Sequence, residues 1–164
     1  MSAAQSHCRR TGFTLVELMA VVAVIAILAL MAVPSVMHRA ARKQVSEALA
    51  IASIAKEPIA AAWKADQPLP ADNAAAGLPQ ADKIVGNYVT GLRVEQGAIH
   101  LTFGNNANGR LKGRTLTLRP AVVEGAPVVP VAWVCGNAAV PGKMTAHGDN
   151  RTDLEPSLLP PHCR

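Results

Sequence analysis

Hydrophobic and polar positions follow three different rhythms along this chain. From Leu15 to Val33 the residues are apolar with one exception, Glu17. A run of about twenty apolar residues, at ~1.5 Å per residue, is long enough to cross a bilayer as a helix. From Ser35 to Ala65 the pattern becomes amphipathic. Val45, Leu49, Ala52 and Ile59 recur near helical spacing, while Arg42, Lys43, Glu47, Lys56 and Lys64 fall largely on other sides. The helix is therefore expected to continue past the apolar run. Pro34 stands at the junction, where a proline inside a helix removes one hydrogen bond and bends the axis. Pro58 predicts a second kink or interruption.

The third rhythm has a period of two. Tyr88–Glu95 and Ala98–Phe103 alternate, and Gln96-Gly97 between them reads as a tight hairpin turn. Gly104–Gly109 is a turn-rich loop, Thr115–Arg119 alternates again, and Pro120 is expected to end that strand. Val128–Cys135 is a fourth strand candidate, with Pro130 suited to an edge or an irregular start. Four short strands at this spacing predict an antiparallel meander, with one face free to pack on a helix. Between helix and sheet, Asp66–Gly86 carries Pro68, Pro70, Gly77 and Pro79 and reads as a loop.

Composition adds limits. At 164 residues there is room for one compact domain beside the apolar segment. Aromatic residues make up only 3%, so the core must be built from Val, Leu, Ile and Ala. A formal charge of +5 is too mild to argue by itself for nucleic-acid binding. Cys8, Cys135 and Cys163 are an odd number. If the polar leader containing Cys8 is removed, the other two can pair or remain buried thiols, and pairing would require an oxidising compartment.

Glu17 is the awkward residue. An acid at the middle of a membrane helix costs on the order of 2.5–3.5 kcal/mol, somewhat less near an end, so it is expected to have a partner. The leader holds Arg9 and Arg10 before the apolar run, as a secretory signal would. The run is too long for an ordinary signal peptide, however, and has no small-residue cleavage site at its end. Arg39, Arg42 and Lys43 beyond the run balance the basic residues before it, so charge alone does not orient a span.

Gly12-Phe-Thr-Leu-Val-Glu-Leu-Met19 resembles the class III signal of type IV pilins. In that family a prepilin peptidase cuts on the cytoplasmic side, after a glycine, and methylates the new first residue. The resemblance implies cleavage between Gly12 and Phe13, N-methylation of Phe13, and an assembly role for Glu17, the fifth mature residue. Pro34 matches the family proline at the same distance from the cut. Ala26 departs from the pattern, because many pilins have a helix-breaking glycine there. Val45-Ser-Glu-Ala-Leu49 and the alternating segments Ala98–Phe103, Leu111–Pro120 and Trp133-Val-Cys135 are similar to pilins as well, so the likeness covers nearly the whole chain. Removing Arg9 and Arg10 with the leader leaves 14 basic against 11 acidic residues, a net +3.

The resemblance implies an α+β pilin fold, with a long N-terminal helix, membrane-spanning in its first half, packed on a four-stranded antiparallel sheet. Cys135 and Cys163 would bound a C-terminal disulfide loop. The regions expected are a leader (1–12), an apolar membrane and assembly helix (13–37), its amphipathic half (38–65), a connecting loop (66–87) and the sheet with the disulfide-bounded region (88–164). A cleaved Phe13 would bring a new ammonium within four residues of the Glu17 carboxylate. In a low-dielectric bundle a mispaired register would leave both charges uncompensated, at several kcal/mol.

The implied function is a pilus subunit, not an enzyme, serving adhesion and twitching motility. Its partners would be other pilin subunits, prepilin peptidase, the pilus assembly machinery and, before assembly, the inner membrane, with the C-terminal part periplasmic. Two alternatives are a minor pilin binding DNA during natural transformation, marked by a basic stripe on an exposed loop, and a type II secretion pseudopilin, which usually lacks the C-terminal disulfide. No cofactor or metal is expected, since the five histidines show no ligand spacing. Asn150-Arg-Thr152 fits an N-glycosylation sequon, a motif short enough to occur by chance.

Overall fold

Ala41, Val45, Ala48, Ala52, Ala55 and Ile59 fall three or four residues apart, and every one of them is buried. They lie along two consecutive helices, α1 (Leu15–Ile51) and α2 (Ser53–Lys64). In this computed structural model residues 12–164 are described, with the side chains of residues 31–38 outside the described set. The chain divides at Met37/His38 into two units, and the sheet belongs wholly to the second.

The helix is interrupted at Ala52 rather than at Pro58, which sits inside α2. The Ser53 hydroxyl donates to the Ala50 carbonyl at 2.7 Å. Such back-bonding competes with the backbone ladder and bends helices. Ala55 N–H also reaches the Ala52 carbonyl three residues back, at 3.1 Å, a tightened turn. The face nevertheless stays in register: Ala52 is buried at the interruption itself.

The second unit contains β1 (Val89–Glu95), β2 (Ala98–Phe103), β3 (Thr115–Val122), β4 (Ala132–Cys135) and a two-residue β5 (Thr145–Ala146). The first four form the expected meander in the order β1-β2-β3-β4, all antiparallel, and β5 adds to β3. Gln96 and Gly97 have φ of +48° and +81°, and Glu95 pairs with Ala98 across them. Two positive φ values in a two-residue loop make the hairpin turn whose twist matches the strands.

Two strand boundaries differ from expectation. β3 runs through Pro120 to Val122. Gly136 N–H donates to the Thr117 carbonyl at 2.8 Å, which turns the odd-numbered residues of β3 toward β4. Pro120 therefore faces the β2 side, beyond the end of the β2 ladder at Leu118; its carbonyl accepts from His147 N–H at 2.9 Å beside β5, and its missing N–H falls at the end of that short ladder. β4 begins at Ala132, four residues later than Val128, because Pro127 and Pro130 interrupt the segment before it.

Leu92, Val94, Ile99, Leu101, Phe103, Leu116 and Leu118 line the inner face and join the helical face in one core. The loop before β1 is more than an exposed connection. Asn73 in it is buried; its amide donates to the carbonyls of Pro79 and Leu92, each at 2.9 Å, and accepts from Val94 N–H at 2.6 Å. One side chain thus takes the place of a strand neighbour along the edge of β1, which would otherwise be open to pairing.

Candidate assembly surface and disulfide-bounded loop

In the first unit the chemistry begins at the start of α1. Gly12, Phe13 and Thr14 precede the helix, and Phe13 is 81% exposed. The Gly12–Phe13 bond therefore lies in open, non-helical chain. Thr14 stands at the N-cap position; its Oγ1 accepts a hydrogen bond from Glu17 N–H at 3.3 Å, and Leu18 N–H donates to the Thr14 carbonyl at 3.1 Å. Thr14-Leu-Val-Glu17 has the capping-box spacing, a local signal overlooked when Glu17 is read only as a charge in an apolar run. A carboxylate in the first turn also complements the positive end of the helix.

Apart from Glu17 the helix is apolar on every side from Leu15 to Leu30. Leu15, Val16, Leu18, Val22, Ile25 and Leu28 point around its full circumference, and all are more than half exposed. A helix of this kind is stable in water only when something covers it. Among the described residues no helix is long and apolar enough to cross a membrane. The apolar run reaches past Leu30 to Val33, into the stretch whose side chains lie outside the described set. Pro34 falls in the same stretch, and so does any bend it makes. Ala26 sits within uninterrupted α1. The leader with Cys8, Arg9 and Arg10 lies outside the described residues.

In the second unit Cys135 and Cys163 are joined in a disulfide, with Cα atoms 4.5 Å apart, and both residues are buried. Cys135 ends β4, so the bond ties the chain terminus to the sheet. Gly136 follows with a φ of +55°, and a β-carbon there would stand 2.5 Å from the Cys163 carbonyl oxygen. Only glycine allows this approach. Asn137 N–H then donates to that same carbonyl at 3.0 Å.

The enclosed loop is anchored rather than free. Leu154, Leu158 and Leu159 enter the core, and Arg42 Nε on α1 donates to the Ser157 carbonyl at 2.9 Å. Thr115 N–H donates to Asp153 Oδ1 at 2.6 Å, while Thr117 N–H donates to Thr152 Oγ1 at 3.0 Å. Two of the loop's charges are also paired, Arg151 with Glu95 and Asp153 with Arg114, and His147 Nε2 lies 2.8 Å from Glu124 Oε1. Among the described residues no group of three or more His, Cys, Asp or Glu side chains is placed to hold a metal ion.

Comparisons with known proteins cover both units. The family described as pilin, a bacterial filament protein, matches residues 41–164, and the prokaryotic N-terminal methylation motif matches residues 8–33. The chain is 34% identical over 159 residues to the type IV major pilin protein PilE of Neisseria gonorrhoeae, covering 93% of each chain. It is 32% identical over 162 residues to the fimbrial protein of Neisseria meningitidis serogroup B, again covering 93% of each. With the fimbrial protein EcpC of Eikenella corrodens it shares 35% identity over 133 residues, covering 78% of this chain and 83% of that one.

Proposed function

The chain belongs to the pilin family of bacterial filaments, and from that premise we propose how its parts work in a type IV pilus, of which it is a structural subunit. The carrying observation is a folded, disulfide-closed unit attached to a helix whose apolar side chains are exposed all round. Twelve large apolar residues between Phe13 and Leu30 are exposed. At roughly 1.5–3 kcal/mol for each such side chain fully buried, covering them is worth on the order of 20–35 kcal/mol, an upper bound. No polar helix face is sacrificed in doing so.

The covering is provided twice. Before assembly the apolar segment lies in the inner membrane, with the second unit on the periplasmic side, where an oxidising compartment supports the Cys135–Cys163 bond. After assembly the same surface packs against the helices of neighbouring subunits. The contact is heterologous and repeats without closing, and such a contact builds a fibre. Prepilin peptidase cuts between Gly12 and Phe13, in chain that is exposed and not helical, and Phe13 becomes the N-methylated first residue. The assembly machinery then extracts the subunit, and the filament serves adhesion at the cell surface.

Glu17 sets the register. At the third helical position its carboxylate lies near the new amino terminus and can also meet that of an adjacent subunit. A slip by one position would leave two unlike charges unpaired in an apolar bundle, at several kcal/mol. Glu17 is thus a positioning group and not a catalytic acid. Pro34 bends the helix between its assembly half and its sheet-bound half. The disulfide weighs against the secretion pseudopilin reading, and in the disulfide-bounded loop Asp149, Asp153 and Glu155 outnumber Lys143 and Arg151, which weighs against DNA binding there. The test is whether filaments sheared from cells contain this chain beginning at a methylated Phe13; filaments without it, or with Met1–Gly12 still attached, would refute the reading.

A further inference from the structure

The outer face of the sheet, opposite the helix, carries a polar row that is exposed at β1 and buried at β2 and β3. Arg93 on β1, His100 on β2 and Thr117 on β3 stand opposite one another in register. His100 is 95% and Thr117 fully buried, because the 147–153 segment of the disulfide-bounded loop lies over them. His100 Nδ1 is 2.9 Å from Thr117 Oγ1, and the same oxygen accepts from Arg151 N–H at 3.0 Å. His100 Nε2 is buried without a hydrogen-bond partner among the described residues. We propose that His100 is the latch of an acid-sensitive clasp that holds the Asp149–Asp153 segment against the sheet.

The hydrogen bonds decide what the ring can hold. Thr117 Oγ1 accepts from Arg151 N–H and keeps a second lone pair and one hydrogen, so it serves His100 Nδ1 as donor or acceptor, whichever the ring requires. His100 Nε2 has no such partner among the described residues. The neutral ring can leave Nε2 as a bare lone pair, with its one proton on Nδ1 toward Thr117. An imidazolium carries a proton on both nitrogens, so its Nε2–H is buried and unpartnered on a charged ring. Lifting the loop lets water reach that N–H.

Charge is divided: Arg93 and Arg151 oppose an imidazolium here, while Glu95 and Asp149 favour it. The groups facing His100 are Arg93 and Glu95 on β1 and Asp149 and Arg151 on the loop; Asp72, on the connection before β1, lines the adjoining groove with Arg93 and Glu95. Glu95 is bonded to Arg151 at 2.5 Å and stands 3.6 Å from Arg93. An imidazolium would compete with Arg151 for Glu95 and so weaken that tie on the loop. Burial, opposed by Glu95 and reinforced by Arg151 and Arg93, holds the imidazole below its usual range. The unfolded or opened state then binds the proton more readily. The clasp is at full strength above the open-state value of ~6.5 and weakens as pH falls from there toward the closed-state value.

Opening stays local. The Cys135–Cys163 bond and the buried Leu154, Leu158 and Leu159 hold the ends of the loop, so only the middle lifts, as in sub-global opening of native proteins. This inference goes beyond the filament reading and does not depend on it, since every group involved lies in the second unit.

The experiment is amide hydrogen exchange on the full mature chain in detergent micelles, corrected for intrinsic rates, at about pH 7 and about pH 5.5. The amides of Arg151 and Asp153 should lose at least about threefold protection at the lower pH while those of Val45–Ile59 hold theirs. His100→Gln should abolish the difference. An equal loss in His100→Gln, or none in the wild type, overturns the proposal. If His100→Gln does not fold, the wild-type chain decides: the His100 ring signals, followed by NMR from about pH 7 to about pH 5, should titrate together with the loss of protection at Arg151 and Asp153. A loss of protection without titration of His100, or at a clearly different pH, would overturn the proposal.

Discussion

Glu17 is the residue on which two demands meet. Its backbone N–H is capped by the Thr14 hydroxyl, with its side chain at the capping-box position, and its charge lies in an otherwise apolar surface. The two roles separate by substitution. Glu17→Gln keeps a side chain suited to the capping box and removes the charge, whereas Glu17→Ala removes both. Both variants are expected to insert in the membrane, measured by fractionation, and neither to yield sheared filaments visible by electron microscopy. Normal filaments from either would sink the register role. Gly136 makes a second test: Gly136→Ala is expected to destabilise the second unit by more than about 1 kcal/mol in denaturant melts, because it combines positive φ with a blocked approach to Cys163. Glu17 stood out in the sequence because a charge in an apolar run is conspicuous. His100 did not: its burial depends on strand register and on a loop about fifty residues later, and no local pattern carries that.

At the scale of elements, what repeats was legible and what depends on a single side chain was not. The helical face at Val45, Ala52 and Ile59, the Gln96-Gly97 hairpin and the four-strand order all follow from periodicity and turn chemistry. The interruption at Ala52 turns on one serine hydroxyl, the continuation of β3 through Pro120 on which side its nitrogen faces, and the lining of the β1 edge on Asn73. Asn73→Ala should therefore cost about 1–3 kcal/mol, the penalty for leaving the Val94 N–H and Leu92 carbonyl unsatisfied. A change under a few tenths in chemical denaturation would contradict the account. Replacing Cys135 and Cys163 by serine should cost about 3.5 kcal/mol by loop-closure entropy. Its signature should be lost protection of the loop amides, with the 41–59 helical face retained until global unfolding.

For the whole molecule the two units carry different halves of one function. The second buries its own core and could fold as an ordinary α+β domain. The first leaves its apolar side chains uncovered and is complete only in a membrane or a bundle. The long helix and the antiparallel sheet were legible in the sequence, because helical spacing and strict alternation are strong patterns. The central claim is that the apolar helix, cut free of its leader, becomes a filament interface. Intact mass spectrometry of filaments sheared from the cell surface tests it most directly. The account predicts a chain from N-methylated Phe13 to Arg164 with one disulfide; a chain still carrying Met1–Gly12, or filaments lacking it altogether, would contradict it.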